Sequence, residues 1–523
     1  MALSPVVGLD IGTNQMKAVE LHPSGKEGLT ITNLAFAPTP PGIIQNGIIT
    51  DPRLMGHSIK QMFKDAGIRV KKVVASLAGQ SSVVVRIIEV PKMSPQELGE
   101  TMKWEVERHV PFSPTDVQLD YVALPSYDPN DENPNMAVLL AVAQNEMVNN
   151  FVDTLFAAGL DPVALDIEPL ATGRALLDLL DGRPVVRQFP PPVIEDEEGN
   201  LISQDETIAV VNIGAANTDI SIFENDLLIF PRSLSLAGDS ITRQISESLG
   251  YTNEQAETLK REHGGVILER VDNFAEGYNQ EEQQPGAEAE TSEFENFRPA
   301  GLPQSGPLSE MSSPFDVDDE TEEITAATPT EPDPDLERTQ PIPRRTIDLA
   351  RRAPTPEPSD LLSSIGGDEN QREQVFDAIS PVLMELSSEL RRSLDYYRSR
   401  SQGSNVDRIL LCGGTASLRD LDEYLSRELQ VPVEVANPFA HIHVSSKHYD
   451  ADYLTSIGPL FCVAVGLAVR EAVFLANPQA APKPAKAAKP EGASKFKLPF
   501  SLGLPKKEKT GATTGEPTLP PGQ

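Results

Sequence analysis

The chain has 523 residues, room for two to four domains at roughly 100–200 residues each. Its apolar content of 39% and aromatic content of 5%, with a single Trp, is lean for a wholly packed chain, so part of it is expected not to fold. A net charge of −34 excludes nonspecific nucleic-acid binding, because phosphates would be repelled rather than neutralised.

From the N-terminus, Met1 runs into a strand at Val6 with neither a basic n-region nor an apolar h-region, which predicts no signal peptide. Val6–Asp10 reads as a short buried strand, followed by a turn at Gly12 and strands through Lys17–Leu21 and Leu29–Phe36. Met55–Ala66 has helical spacing, and Val73–Leu77 and Val83–Val90 return to strand. Ser94-Pro95-Gln96-Glu97 is a capping box with Pro at the first helical position. The helix it starts places Leu98, Met102 and Val106 on one face and ends near Pro111. Strands follow at Gln118–Leu124 and Met136–Val142, then a helix at Glu146–Ala158. Strands alternating with helices predict a mixed α/β architecture.

A second strand-rich block starts at Thr207, with strands Ile208–Ile213, Asp219–Phe223 and Leu227–Pro231 and helices Ile241–Leu249 and Asn253–His263. From about 270 to 366 the chain is rich in Glu, Asp, Pro, Ser, Gln and Thr without periodicity, and 271–360 alone holds 22 acidic residues against 6 Arg. Such a segment buries too little apolar area to offset its ordering entropy and is predicted disordered. A long helix is expected at Arg372–Arg398, with a stripe of Val375, Ile379, Leu383 and Leu386. A strand at Arg408–Cys412, a helix near Leu418–Leu429 and a last helix near Leu460–Leu475 complete the order. Phe461–Ala476, interrupted by Arg470 and Glu471, reads as too short to span a bilayer. The Ala/Pro/Lys-rich tail after Asn477 is predicted unfolded. Cys412 and Cys462 sit in apolar runs without zinc-ligand spacing and read as reduced core thiols.

Three turns carry chemistry. In Gly8-Leu9-Asp10-Ile11-Gly12-Thr13-Asn14, Gly12 lets backbone N–H groups approach a phosphate. Asp10 is placed to hold a hydrated magnesium ion and Lys17 to neutralise a phosphate tail. Val211-Asn212-Ile213-Gly214-Ala215-Ala216-Asn217 mirrors it some 200 residues later, so a cleft between two similar halves is expected. Gly413-Gly414-Thr415 closes a further strand before a helix, either a tight connection or an anion-facing helix start. Glu257 and Lys260, three apart on one helix face, read as an isolated pair more often as a solvated ion pair than as a ligand contact.

In this order, Asp10-x-Gly12-Thr13 with Lys17, Asp166-Ile167-Glu168-Pro169-Leu170-Ala171, the Asn212 turn, Ala256-Glu257-x-x-Lys260 and Gly413-Gly414-Thr415 resemble the motifs of the actin-like ATPase superfamily. They look like phosphate 1, the first connecting helix, phosphate 2, an adenosine-contacting helix and the adenosine turn. Ala464-Val465-Gly466-Leu467-Ala468 looks like the second connecting helix. Glu105-Val106-Glu107-Arg108-His109-Val110-Pro111-Phe112, and Val463–Arg470 followed by Glu471, resemble signatures of the PilM family, related to FtsA.

The resemblance implies a two-lobed actin-like fold with a repositioned extra subdomain. The implied boundaries are a first lobe over 1–71 and 165–205, the subdomain over 72–164, and a second lobe over 206–269 and 367–476. A disordered insertion would occupy 270–366 and a disordered tail 477–523. The implied cofactors are ATP and Mg2+. Asp10, Glu168 and Asn212 would be catalytic, Asp10 holding the metal through water. Gly12, Thr13, Asn14, Lys17, Gly214, Ala215, Asn217, Glu257, Lys260, Gly413, Gly414 and Thr415 would bind nucleotide. The implied partner is a PilN-like inner-membrane protein, captured by its cytoplasmic N-terminal peptide, with pilus motor ATPases and self-association as further contacts. The implied location is cytoplasmic, at the inner membrane through that partner. The alternative is an FtsA-like division protein. One departure is Asn212, where the superfamily usually has Asp: an amide carries no charge and cannot act as a base, which implies slow hydrolysis at most.

Overall fold

The computed structural model describes residues 3–24, 28–78, 82–124, 133–180, 183–185, 193–195, 201–203, 206–271, 358–401, 403–445 and 449–476. Contacts divide the chain into Met1–Val271 with Ile365–Gln523, and Asp272–Ser364; the fold below is that of the first unit. It opens with strands β1 (Val6–Ile11), β2 (Gln15–Ser24) and β3 (Gly28–Pro38), helix α1 (Pro52–Asp65) and strand β4 (Lys72–Leu77). Then come β5 (Val83–Pro91), α2 (Pro95–His109), β6 (Val117–Ala123), β7 (Asn135–Gln144), α3 (Asn145–Ala157), β8 (Asp161–Ile167) and α4 (Glu168–Leu176). The second half carries β9 (Thr207–Ile213), β10 (Thr218–Glu224), β11 (Leu227–Leu234), α5 (Gly238–Leu249), α6 (Asn253–His263) and α7 (Pro358–Arg400). It closes with β12 (Arg408–Cys412), α8 (Leu421–Leu429), β13 (Val433–Val435), β14 (His443–Val444) and α9 (Ala451–Ala476).

Two sheets form the lobes, in the orders β8-β4-β1-β2-β3-β14 and β11-β10-β9-β12-β13. Each has an antiparallel hairpin, β1–β2 or β9–β10, beside parallel neighbours. The central strands β1 and β9 are buried along their whole length, which is why they read as continuous apolar runs. Alternate residues feed opposite cores: Ile208 and Val210 pack with α9, whereas Ala209, Val211 and Ile213 pack under α5 and α7. Helices α4 and α9 cross between the lobes. At that crossing a Cβ on Gly466 would lie 1.7 Å from the Ala171 carbonyl oxygen, and where β1 meets α9 one on Gly8 would lie 2.0 Å from that of Ala464. Only glycine admits so close a backbone contact.

A third sheet, β5-β7-β6, packs its Ile88, Val90, Val138, Leu140 and Val142 against Leu98, Met102 and Val106 of α2. The capping box is formed as expected, Ser94 Oγ accepting from the Glu97 N–H and Glu97 from that of Ser94. Phe112 packs against the same cluster. This separate sheet spans 83–144, less than the 72–164 expected for the inserted subdomain. The first and last strands of that stretch, β4 and β8, pair with the first lobe, and α3 packs on α1. Register with β1 decides this, and single-strand patterning does not report it.

Other boundaries differ. Helix α7 begins at Pro358, inside the stretch expected to be disordered; residues 272–357 of that stretch and the tail 477–523 lie outside the described residues. Helix α9 begins at Ala451 and runs 26 residues through Pro459, long and apolar enough to cross a membrane by composition, yet 72% of its most apolar window is buried inside the fold. It is a core helix. Its Arg470 is buried, its guanidinium 4.9 Å from the Phe474 ring centroid and 3.5 Å from Asp166, which also pairs with Arg174 at 2.5 Å.

Candidate functional site

The two hairpins present equivalent turns to one cleft. Gly12 N–H donates to Gln15 O at 3.1 Å and Gly214 N–H to Asn217 O at 2.9 Å. Each turn glycine has its carbonyl held by a distant threonine: Thr39 donates to Gly12 O at 2.7 Å, Thr415 to Gly214 O at 3.1 Å. The register is equivalent as well, Asp10 opposite Lys17 and Asn212 opposite Asp219. Both turns are thus fixed from within and from across the fold, and Thr13, Asn14, Ala215 and Asn217 are carried into the cleft by them.

Charges follow from this layout. Lys17 Nζ lies 2.9 Å from Asp10 Oδ2. The Asn212 amide donates to Glu168 Oε2 at 3.2 Å. Glu168 opens α4 and shares a hydrogen bond with Asp219, which also meets Ser233. Burial, then the negative charges of Asp219 and Asp10, push the Glu168 carboxyl well above its ordinary range; burial likewise raises Asp219. Like charges packed this closely disfavour full ionisation, so the hydrogen-bonded Glu168–Asp219 pair favours retaining a proton.

On the far wall, α5 and α6 are tied by polar contacts. Gly238 N–H donates to Gly214 O at 3.1 Å and Asp239 N–H to Ala215 O at 2.8 Å, anchoring the start of α5 on the second turn. Lys260 Nζ reaches Glu257 at 2.6 Å, Thr242 Oγ1 at 2.8 Å and Gly238 O at 3.0 Å. Arg261 pairs with Glu257 at 2.8 Å. Burial alone would raise the Glu257 carboxyl, but the hydrogen bonds from Lys260, Thr242 and Arg261 prevail and hold it below its ordinary value. The pair is therefore a half-buried brace between two helices, not the solvated ion pair the spacing also allowed. Gly413 takes φ of +89°, and a Cβ there would lie 2.4 Å from Ile213 O, so a glycine is needed where β12 turns against β9.

A cavity of about 790 Å³ joins all of these segments. Every residue picked from the sequence lines it: Asp10, Gly12, Thr13, Asn14 and Lys17; Glu168; Asn212, Gly214, Ala215 and Asn217; Glu257 and Lys260; Gly413, Gly414 and Thr415. Sequence reasoning passed over Asp219, Asp239 and Arg261. For Asp219 a signal existed, since it stands seven residues after Asn212 as Lys17 stands seven after Asp10. Among the described residues, no group of three or more His, Cys, Asp or Glu is arranged to hold a metal ion by itself.

The fold and cleft have counterparts among known proteins. A family model described as "Type IV pilus assembly protein PilM" matches residues 8–266 and 368–472. A solved chain of a "PilM-PilN type IV pilus biogenesis complex" is 26% identical, with a TM-score of 0.58 over 90% of this chain and 98% of that one. Cell division protein FtsA of Bacillus subtilis (strain 168) is 24% identical over 289 residues, 51% of this chain and 59% of the relative. FtsA of Porphyromonas gingivalis (strain ATCC BAA-308 / W83) is 35% identical over 91 residues, 16% of this chain and 19% of the relative. The chain thus spans less than two thirds of the length of these curated relatives.

Proposed function

The chain belongs to the PilM family of type IV pilus assembly proteins, and we propose that it is an ATP-binding scaffold whose nucleotide state sets its hold on a membrane partner of the assembly platform. The observation that carries this reading is the convergence of two equivalent glycine turns and the Gly413-Gly414-Thr415 turn on one cavity. The residues fit a magnesium nucleotide. A Cβ at Gly12 would lie 2.9 Å from Gln15 O and one at Gly214 3.0 Å from Asn217 O, so both turns need bare backbone. Phosphate groups would lie between these turns, beside Lys17. Asp10 would meet the metal through water, with phosphate oxygens completing a shell the protein carboxylates alone do not supply. The metal would supply charge neutralisation. Glu168, Asn212 and Asp219 would orient the attacking water, and Gly413–Thr415 with Glu257 and Lys260 would border the adenosine.

The proposed partner is a PilN-like inner-membrane protein, bound through its cytoplasmic N-terminal peptide, with the chain on the cytoplasmic side and held at the membrane by that contact. The solved relative's complex with PilN supports this partner class. Slow hydrolysis, consistent with Asn212, would make the protein a nucleotide-gated clamp, its lobe closure and partner affinity linked. Titration of the full chain with ATP and Mg2+, followed by capture of a synthetic N-terminal PilN peptide with and without nucleotide, tests both halves. Micromolar or tighter nucleotide binding that changes peptide affinity is expected; absence of nucleotide binding would overturn the reading.

A further inference from the structure

Helix α2 buries Leu98, Met102 and Val106 against the third sheet and turns its opposite side to solvent. By helical spacing that side carries Glu97, Glu100, Trp104 and Glu107 in one stripe, all four exposed. Trp104 is the single Trp of the chain and is 69% exposed. An indole left in water, with a carboxylate four residues before it and another three after, has the make-up of a binding anchor rather than of a core residue. Glu100 is balanced by Lys103 at 3.1 Å, but Arg108 turns to Glu105, and Glu107 has no ion-pair partner among the described residues.

The chain holds a segment of the opposite character. In a protein of net charge −34, residues 477–523 carry eight Lys, no Arg and three Glu. Within them, Lys495-Phe496-Lys497-Leu498-Pro499-Phe500 joins cations to aromatic rings. Pro499 disfavours a helix there, and six extended residues run about 16–20 Å. The stripe from Glu97 to Glu107 is about 15 Å long at 1.5 Å per helical residue. The tail also starts close by: Val122 of β6 and Leu124 after it pack on the core cluster that holds Val469 and Val473 of α9, which ends at Ala476. From there residues 477–494 reach up to about 60 Å, ample to pass the sheet edge and one helix about 10–12 Å across.

We propose that residues 495–500 dock in cis along the outer face of α2. Phe496 and Phe500 contact the Trp104 ring, and Lys495 and Lys497 face Glu100 and Glu107, where an ammonium over the indole adds a cation–π attraction. The tail is then a removable cover on the subdomain, held by a contact that needs both its charge and its rings.

The test reads the fluorescence of Trp104 in the full chain, where no second indole contributes. Acrylamide quenching is compared between the native protein and two tail variants, Phe496→Ala with Phe500→Ala and Lys495→Glu with Lys497→Glu. A tether of this kind holds its segment at an effective concentration of about 1 mM, so a contact of ~1 mM is half occupied and its release should raise quenching at least ~2-fold. Both variants should show that rise, and salt at about 1 M, where the Debye length is about 3 Å, should produce it in the native chain. Zero-length cross-linking should join Lys495 or Lys497 to Glu100 or Glu107 within one chain. Equal quenching in native and variant proteins, or links only to other acidic residues, would overturn the docking. Shielding of Trp104 that grows with protein concentration would assign the face to a second copy's tail and overturn the contact in cis. Nucleotide takes no part in these readouts, so a failure of the proposed function leaves them standing.

Discussion

Asn212 faces Asp219 across the β9–β10 hairpin at the register at which Asp10 faces Lys17 across β1–β2. The two hairpins are equivalent in backbone and different in charge. Where the first lobe pairs an acid with a base, the second sets a neutral amide beside an acid. The carboxylate absent from position 212 is therefore present one strand away, hydrogen-bonded to Glu168. The protein reads here less as a site stripped of charge than as one whose charge has been moved.

That arrangement separates two substitutions. Asn212→Asp should raise single-turnover hydrolysis by about tenfold if the missing charge at 212 limits the chemistry, since ~1.4 kcal/mol of barrier is a factor of ten. Asp219→Asn should lower it by at least as much, because it removes the carboxylate charge from the water-orienting network. Both are measured with saturating enzyme and radiolabelled ATP. A native rate typical of an efficient ATPase, or no response to either change despite intact binding, would sink the clamp reading.

Lys17→Ala should weaken ATP binding by about 1.5–3 kcal/mol, the range of a charge-assisted contact. The loss has two sources: the phosphates lose a cation, and Asp10, now paired at 2.9 Å, is left to repel them. Calorimetry with Mg2+ present checks it. An unchanged dissociation constant would place Lys17 outside the binding machinery.

Asp120 predicts a pH dependence of stability. Its Oδ1 accepts from the Tyr121 N–H at 2.9 Å, while Oδ2 is buried without a hydrogen-bond partner. Burial pushes its carboxyl up to about 8, against the opposing pull of that N–H and of the Arg470 charge. In the unfolded chain Asp ionises near pH ~3.9. Between those values the folded state binds the extra proton, so this contribution is complete below pH ~4 and lost as pH rises to about 8. Asp120→Asn keeps the neutral shape and should flatten that slope. Urea unfolding at pH 5 and pH 8 reads it directly, and equal slopes in the two proteins would exclude Asp120 as the source.

Gly466→Ala should destabilise the fold by about 3 kcal/mol, the upper part of the usual overpacking range, because the atoms the new Cβ would meet are all Ala171 backbone and cannot swing aside. Gly414→Ala, whose Cβ would meet only Leu460 at 3.7 Å, serves as the comparison in the same melting experiment. Similar midpoints for the two variants would show that the helix crossing gives way.

The sequence was informative wherever local chemistry decides the outcome. Strand β12 was located to the residue because a short apolar run is bounded by Arg408 and a Gly-Gly turn. The Ser94 cap was legible because its hydrogen bonds close within four residues. The cleft residues were found through turns whose spacing is itself the signal. What escaped depended on distant pairing. Strand β8 was missed because Asp161–Ile167 acquires its role only beside β4. The two-residue strand β14 exists only through its register with Thr30 and Ile31. Asp219 reads in isolation as an ordinary polar residue near the start of a strand, and only the neighbourhood of Glu168 gives it weight. Similarly, Arg470 looks like an interruption of an apolar run until Asp166 and Phe474 are placed around it.

The contact between Gly466 and Ala171 has a mechanical consequence. Where side chains separate two helices, their rotamers act as packing material that can be rearranged, and the helices can slide or part by small steps. Here backbone rests on backbone, with nothing between to compress. Such a bearing favours rotation about the point of contact over sliding. An occupant of the cleft that draws the lobes together would then change the opening angle rather than the spacing of the helices.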